Sequence, residues 1–259
     1  MKGSINLLVD VHNHILPGLD DGPLDEELAL SLARNAVDNG ITHNIATPHH
    51  QNGKYLNHKT VVQECVKYFN QKLIFHDIPI KVLPGMEIHM FDNILQEIEE
   101  NLLTLADSKK YLLIELPNSH IPHFTKEIFY ELQLKGYIPI IAHAERNIEF
   151  RSNPDKMFEI IKKGALMQVT ASSILGLNGR KLQKHSLKMC KNKLVHFIAS
   201  DAHHHEKRPF LLSDAYKYLN ANVSRQLVSY FHENSKHVIL GTEFHPLSPI
   251  KIKSTLLKR

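Results

Sequence analysis

Short apolar runs recur along this chain, separated by stretches of helical spacing, and most of them stop at a residue that can ligate a metal. The runs cover residues 7–9, 41–46, 80–83, 111–114, 138–142, 166–169 and 194–199. Runs of this length, bounded by Gly, Pro and polar residues, read as buried strands. Their alternation with helices predicts βα units and a parallel sheet. Six of the seven end in His, Asp or Glu: His12 and His14, His49, Glu87, Glu115, His143, then Asp201 and His203. The sixth run ends instead in Thr170, a poor ligand. In a barrel the C-terminal strand ends converge on one face. In a doubly wound sheet they spread along an edge. Endings of one chemical kind therefore favour an α/β barrel with its site at the C-terminal ends of the strands.

Helices fit between the runs. Asp25 can cap a helix striped by Leu28, Leu32 and Ala36, which Gly40 ends. Val62, Val66, Phe69 and Leu73 mark the next, with Cys65 as a small core residue of that helix. A short helix is expected over 91–101, and another opens at Asn153 or Asp155. The part after Ser213 reads as mostly helical, with a last apolar run at 237–240. There is no internal repeat and no linker, so residues 1–259 are expected to form one domain. No apolar run has membrane-spanning length and no signal-peptide pattern opens the chain, which predicts a cytoplasmic protein. The net charge is only +4, and the basic residues form no long block. That disfavours nucleic acid as a partner.

The stretch DVHNHILPGLDDG carries the densest chemistry. His12 and His14 are two apart, so on a strand both imidazoles reach the same ion. Asp20 and Asp21 follow in a loop, and one of them can add a carboxylate while the other serves as a cap or hydrogen-bond acceptor. Five imidazoles and several carboxylates exceed what one metal needs and point to two or three bridged divalent ions. Imidazole with carboxylate and no thiolate suits Mn, Fe(II), Zn, Co or Ni. Glu87 is suited to bridge. Clustered ions are the usual apparatus of phosphate ester hydrolysis, with hydroxide held between them as nucleophile. Arg146, three residues after His143, and Arg208, five after His203, are placed to hold phosphate; loop salt bridges with neighbours such as Glu145 or Glu206 are the alternative.

Other chemistries are excluded. Cysteine phosphatases need an arginine six positions after the thiolate; Cys65 has Gln71 there and Cys190 has His196. No P-loop and no GxSxG elbow occurs. His50, His204 and His205 are expected at the rim or in solvent. His89, His120 and His123 are expected in loops, and His185, His196, His232, His237 and His245 as structural or exposed.

The segments DVHNHILPGLDDGP, IATPHHQNGKY, VLPGMEI, YLLIELP, LQLKGYIPIIAHAERN, KGALMQVTASSILG and HFIASDAHHHEKRPF together resemble the polymerase-and-histidinol-phosphatase (PHP) superfamily. More narrowly, they resemble the manganese-dependent bacterial protein-tyrosine phosphatases of capsule and exopolysaccharide loci. The resemblance runs from the start to about Phe210. It implies a distorted (β/α)7 TIM-like barrel, the PHP fold, with three divalent ions: Mn²⁺, or Fe, Zn, Co or Mg in its place. The implied ligands fall on His12, His14, Asp21, His49, Glu87, Glu115, His143, Asp201 and His203, with Arg146 and Arg208 holding phosphate. Ala144 stands where the family commonly has Pro, and His204 where it commonly has Asn; neither removes a ligand. The implied substrate is the phosphorylated tail of a bacterial tyrosine kinase that controls polysaccharide export. Phenolate is a better leaving group than serine alkoxide, since tyrosine has a pKa of ~10, which fits a metal-hydroxide enzyme with no evident general acid. The alternatives are a small-molecule phosphomonoesterase, such as a histidinol-phosphate phosphatase, and a non-catalytic metal-binding partner of the kinase. Oligomeric state is not legible.

Overall fold

Apolar segments too short to pack alone find cover here by curling into a ring of parallel strands sheathed in helices. The computed structural model describes residues 7–252. In chain order the strands are β1 (Val9–Asn13), β2 (His43–Ala46), β3 (His49–His50), β4 (Lys81–Pro84), β5 (Glu87–His89), β6 (Tyr111–Glu115), β7 (Ile138–Ile141), β8 (Leu166–Thr170) and β9 (Phe197–Ala199). The helices are α1 (Glu26–Asp38), α2 (Lys59–Phe75), α3 (Ile94–Glu97), α4 (Thr125–Leu134), α5 (Ile148–Ser152), α6 (Pro154–Lys162), α7 (Ala171–Leu175), α8 (Arg180–Lys191), α9 (Leu212–Asn222) and α10 (Arg225–Leu240).

All the strand pairings are parallel, in the orders β1-β2-β4 and β3-β5-β6-β7-β8-β9. The second and third of the seven expected strands are each broken in two. Thr47-Pro48 separates β2 from β3, and Gly85-Met86 separates β4 from β5. Pro48 has no N–H to give a ladder. At Gly85 a Cβ would lie 2.8 Å from Ile45 Cγ2, so only glycine passes there. Counted as staves, the strands make the seven-membered ring expected of a distorted barrel. Its seam is the bridge between Asn13 and Ala202, where His14 N also donates to Ala202 O at 2.8 Å.

Two apolar cores result. The inner one fills the ring with Val9, Val11, Ile45, Leu113, Ile140 and Phe197, and Val238 of α10 closes its floor. The outer one lies between strands and helices. Burial of a side chain such as Phe69 or Phe150, both 0% exposed, contributes roughly 1.5–3 kcal/mol. Asp25 caps α1 as expected, accepting from Leu28 N at 2.9 Å.

Some expectations need correction. The first strand begins at Val9 rather than Leu7 and runs through His12. The helix expected over 91–101 shrinks to Ile94–Glu97. The apolar run at 237–240 is the last turn of α10, with Val238 facing inward. Among the described residues no helix is long and apolar enough to cross a membrane.

Candidate metal centre

The strand ends do converge. His12 lies in β1 and His14 just beyond it, and their Nε2 atoms are 3.3 Å apart. β3 brings His49, β5 brings Glu87 and β6 ends in Glu115. His143 follows β7, and Asp201 and His203 follow β9. His143 and Asp201 both have positive φ, 29° and 56°. Such backbone is uncommon away from glycine and recurs at functional sites. Here it turns each side chain inward at the moment its strand ends.

Glu87 stands at the centre and is fully buried. Its Oε2 lies 3.2 Å from His12 Nε2, 3.2 Å from His14 Nε2 and 3.1 Å from His49 Nδ1. Its Oε1 lies 2.8 Å from His143 Nε2. Glu115 Oε1 is 3.5 Å from the same nitrogen. Asp21 Oδ1 sits 3.3 Å from His203 Nε2 and 3.5 Å from His49 Nε2. Ligand-type atoms gather in three overlapping groups: His14, Asp21, His49 and His203; His12, His14 and Glu87; His49, Glu87 and Glu115. Asp201 completes the wall, with Oδ1 3.5 Å from His12 Nε2.

The donor set fits divalent ions. Glu87 Oε2 and His49 Nδ1 are buried without a hydrogen-bond partner. Lone pairs that converge on one point repel, and a cation there turns repulsion into coordination. The ring orientations agree. His12 Nδ1 donates to Gln168 Oε1 at 3.1 Å, His14 Nδ1 to Asp20 Oδ2 at 2.6 Å and His203 Nδ1 to Asp201 O at 2.9 Å. Each bond fixes the tautomer that leaves Nε2 free to ligate. Asp20 also accepts from His49 N at 3.0 Å and Gly22 N at 2.9 Å. It is the buried loop acceptor, and Asp21, itself exposed, is the carboxylate that faces His49 and His203.

The two arginines share one anchor. Arg146 and Arg208 donate to Asp201 Oδ2 at 2.6 and 2.9 Å. Burial alone would raise the Asp201 pKa, but Arg146, His12 and Arg208 outweigh it and hold the carboxyl far below the usual range. Burial and then the neighbouring His14 lower His203 to about 4. Backbone bonds pin Arg208: its N donates to His204 O, and its carbonyl accepts from His203 N and His204 N. Beside the pair opens a cavity of about 450 Å³ lined by Ser172, Leu177, Asn178, Lys207 and Pro209 among others.

Several histidines lie elsewhere than expected. His50 is fully buried behind the strand, with Nδ1 donating to Asn57 O, because neighbours on a strand face opposite ways. His89 belongs to β5 rather than a loop, 3.2 Å from Glu115. His204 is half-buried and accepts from Glu206 N at 3.0 Å, shaping the turn that carries Arg208. Gln168 is not among the residues expected at the site, and Glu145 is expected only as a loop ion-pair partner. Gln168 Oε1 serves both His12 and the backbone N of His143, at 2.7 Å. Its signal was a lone polar residue between Met167 and Val169 in a buried strand.

The family profile described as "Capsular polysaccharide synthesis, CpsB/CapC" matches residues 8–240. The chain belongs to the CpsB/CapC family. It is 40% identical over 246 residues to the tyrosine-protein phosphatase YwqE of Bacillus subtilis, covering 94% of this chain and 97% of that protein. It is 41% identical over 234 residues to the putative tyrosine-protein phosphatase CapC of Staphylococcus aureus, covering 90% and 89%. A solved structure from work on YwqE of B. subtilis and CpsB of Streptococcus pneumoniae, described as unique metal-dependent tyrosine phosphatases, superposes with a TM-score of 0.92 at 41% identity. It covers 95% of this chain and 100% of that one. The lactonase Lmo2620 of Listeria monocytogenes, at 13% identity and a TM-score of 0.57, shares the fold alone. So this CpsB/CapC member has the barrel that the PHP resemblance implied.

Proposed function

We propose that this CpsB/CapC member is a metal-dependent protein-tyrosine phosphatase acting on a phosphorylated tyrosine kinase of capsular or exopolysaccharide synthesis. The observation that carries the reading is Asp201. One of its oxygens faces the histidine and Glu87 cluster, and the other holds both arginines. A phosphate that replaces Asp201 Oδ2 as partner of the arginines would thus lie against the cluster. When bound, divalent ions would polarise phosphoryl oxygens and activate water. His12, His14, Asp21, His49, Glu87, Glu115, His143, Asp201 and His203 would hold them, as three ions, with manganese the metal we assign. Arg146 and Arg208 would bind the phosphate and stabilise charge in the transition state. The reading treats residues 1–259 as a single PHP-type domain working in the cytoplasm. Relatives named tyrosine-protein phosphatase support it.

The test is phosphate release from a phosphotyrosine peptide by protein stripped with chelator and reloaded with Mn²⁺. Activity should vanish on stripping and return on reloading. A sample shown to hold its ions yet inert on the peptide, but active on histidinol phosphate, would sink the protein-phosphatase reading in favour of a small-molecule one.

A further inference from the structure

Helix α8 gathers positive charge. From Ala171 to Ser200 the sequence has Arg180, Lys181, Lys184, Lys188, Lys191 and Lys193 and no Asp or Glu. The whole chain carries only +4, so the concentration is local. Ser186, Met189 and Cys190 face inward and are buried, whereas Arg180, Lys181, Lys184, Lys188 and Lys191 are exposed. Positions 181, 184, 188 and 191 recur at three and four, which lines them along one strip. Among the described residues no carboxylate lies within ion-pair distance of Lys181, Lys184 or Lys191. Like charges at these spacings work against the helix that carries them.

The strip runs into the site. Leu177 and Asn178 line the cavity beside the arginines, Gly179 caps α8, and Arg180 is its first residue. Lys207 lines the same cavity. At 1.5 Å per residue, the 12 residues of α8 extend this positive track by about 18 Å. Leu177 is 67% exposed, an apolar side chain at the cavity where an aryl ring would enter.

We propose that the outer face of α8 docks the acidic flank of the phosphorylated polypeptide and leads the phosphotyrosine into the cavity beside Arg146 and Arg208. The proposal rests on the phosphatase reading and adds how the substrate is chosen. A polypeptide suits a narrow track that ends in a cavity. A lipid surface suits it less, because interfacial helices insert apolar residues beside their cations, and α8 turns Met189 and Cys190 inward.

The experiment compares the wild type with the triple variant K181E/K184E/K191E. Two substrates are used on the Mn²⁺-loaded enzyme: a phosphotyrosine peptide flanked by Glu and Asp, and free phosphotyrosine. KM for the acidic peptide should rise roughly tenfold or more with kcat unchanged, as three exposed charges at modest individual worth imply. Free phosphotyrosine should be turned over as before. Added salt should raise KM of the wild type and barely affect the variant. Binding of the same peptide carrying a non-hydrolysable phosphonate to chelator-treated protein, read by fluorescence anisotropy, should weaken in parallel. An unchanged peptide KM, or an equal loss on free phosphotyrosine, overturns the docking role. So does loss of binding to phosphatidylserine vesicles with peptide kinetics intact, which assigns the strip to a bilayer. If the wild type hydrolyses neither substrate, the phosphatase reading fails, and anisotropy alone decides whether α8 binds the acidic peptide.

Discussion

Asp201 meets His12 and His203 with one oxygen and Arg146 and Arg208 with the other. Arg146→Ala should therefore lower kcat on phosphotyrosine by roughly 10²–10³-fold, the usual cost of losing one charge-stabilising donor. Metal content by mass spectrometry should stay at the wild-type level, since Arg208 still restrains Asp201; metal loss would reassign Arg146 to the ligand scaffold. Gln168 acts one step further out. Gln168→Ala removes the acceptor that orients His12 and should weaken metal affinity about 10–100-fold, measurable by competition with a chromogenic chelator. Single residues of the inner wall were readable because ligand types sat where apolar runs stopped. His50, expected at the rim, lies buried because an HH pair hides a reversal of direction. Glu145 reads in sequence as a loop ion-pair partner of Arg146, whereas it is fully buried and turned toward Thr170.

That contact matters for how elements are joined. Glu145 lies in the 3₁₀ turn that carries Arg146, and its Oε1 accepts from Thr170 N at 3.1 Å and Thr170 Oγ1 at 2.7 Å. Thr170 caps α7, which carries Ser172 of the opposite cavity wall. One carboxylate thus ties two walls together. Glu145→Ala leaves the Thr170 N–H unpaired and should cost about 1–3 kcal/mol in chemical denaturation. Glu145→Gln, which keeps an acceptor, should lose much less; equal losses would show that packing, not the bond, is what counts. The strands themselves were legible as apolar runs. Their breaks were not, since these depend on how closely Gly85 passes Ile45 and on Pro48 withholding a donor, both facts of the folded chain. Helix α7 spans five residues, too few to show a period. The charge on α8 was diluted in sequence by Leu, Gln and Ser and became a strip only when wound at 3.6 residues per turn.

The barrel as a whole has a pH limit built into its floor. His196 is fully buried, its Nδ1 accepts from Met167 N at 3.0 Å, and Asn234 Nδ2 donates to its carbonyl at 2.9 Å. A protonated ring would set two donors against each other, and burial lowers the pKa from 6.5 to about 3. The unfolded chain takes up that proton below about pH 6.5 while the fold refuses it, so stability is full above that point and falls toward about pH 3. The loss amounts to a few kcal/mol, on the order set by the gap between the two pKa values. His196→Asn, which retains an acceptor, should flatten the fall of Tm between pH 6.5 and 4; a parallel fall in both proteins would remove His196 as its source. The ring closes where β1 meets the segment after β9, and Ser200 N donates to Asp10 Oδ1 across 190 positions of sequence. Contacts so distant form late in folding. During synthesis the first histidines emerge long before Asp201 and His203, so a growing chain offers only scattered, weak holds for an ion. On the proposed ligand assignment, metal occupancy would be a certificate of completion: a chain that retains the full complement would already have shut its seam, and unfastening that seam would set the ions free.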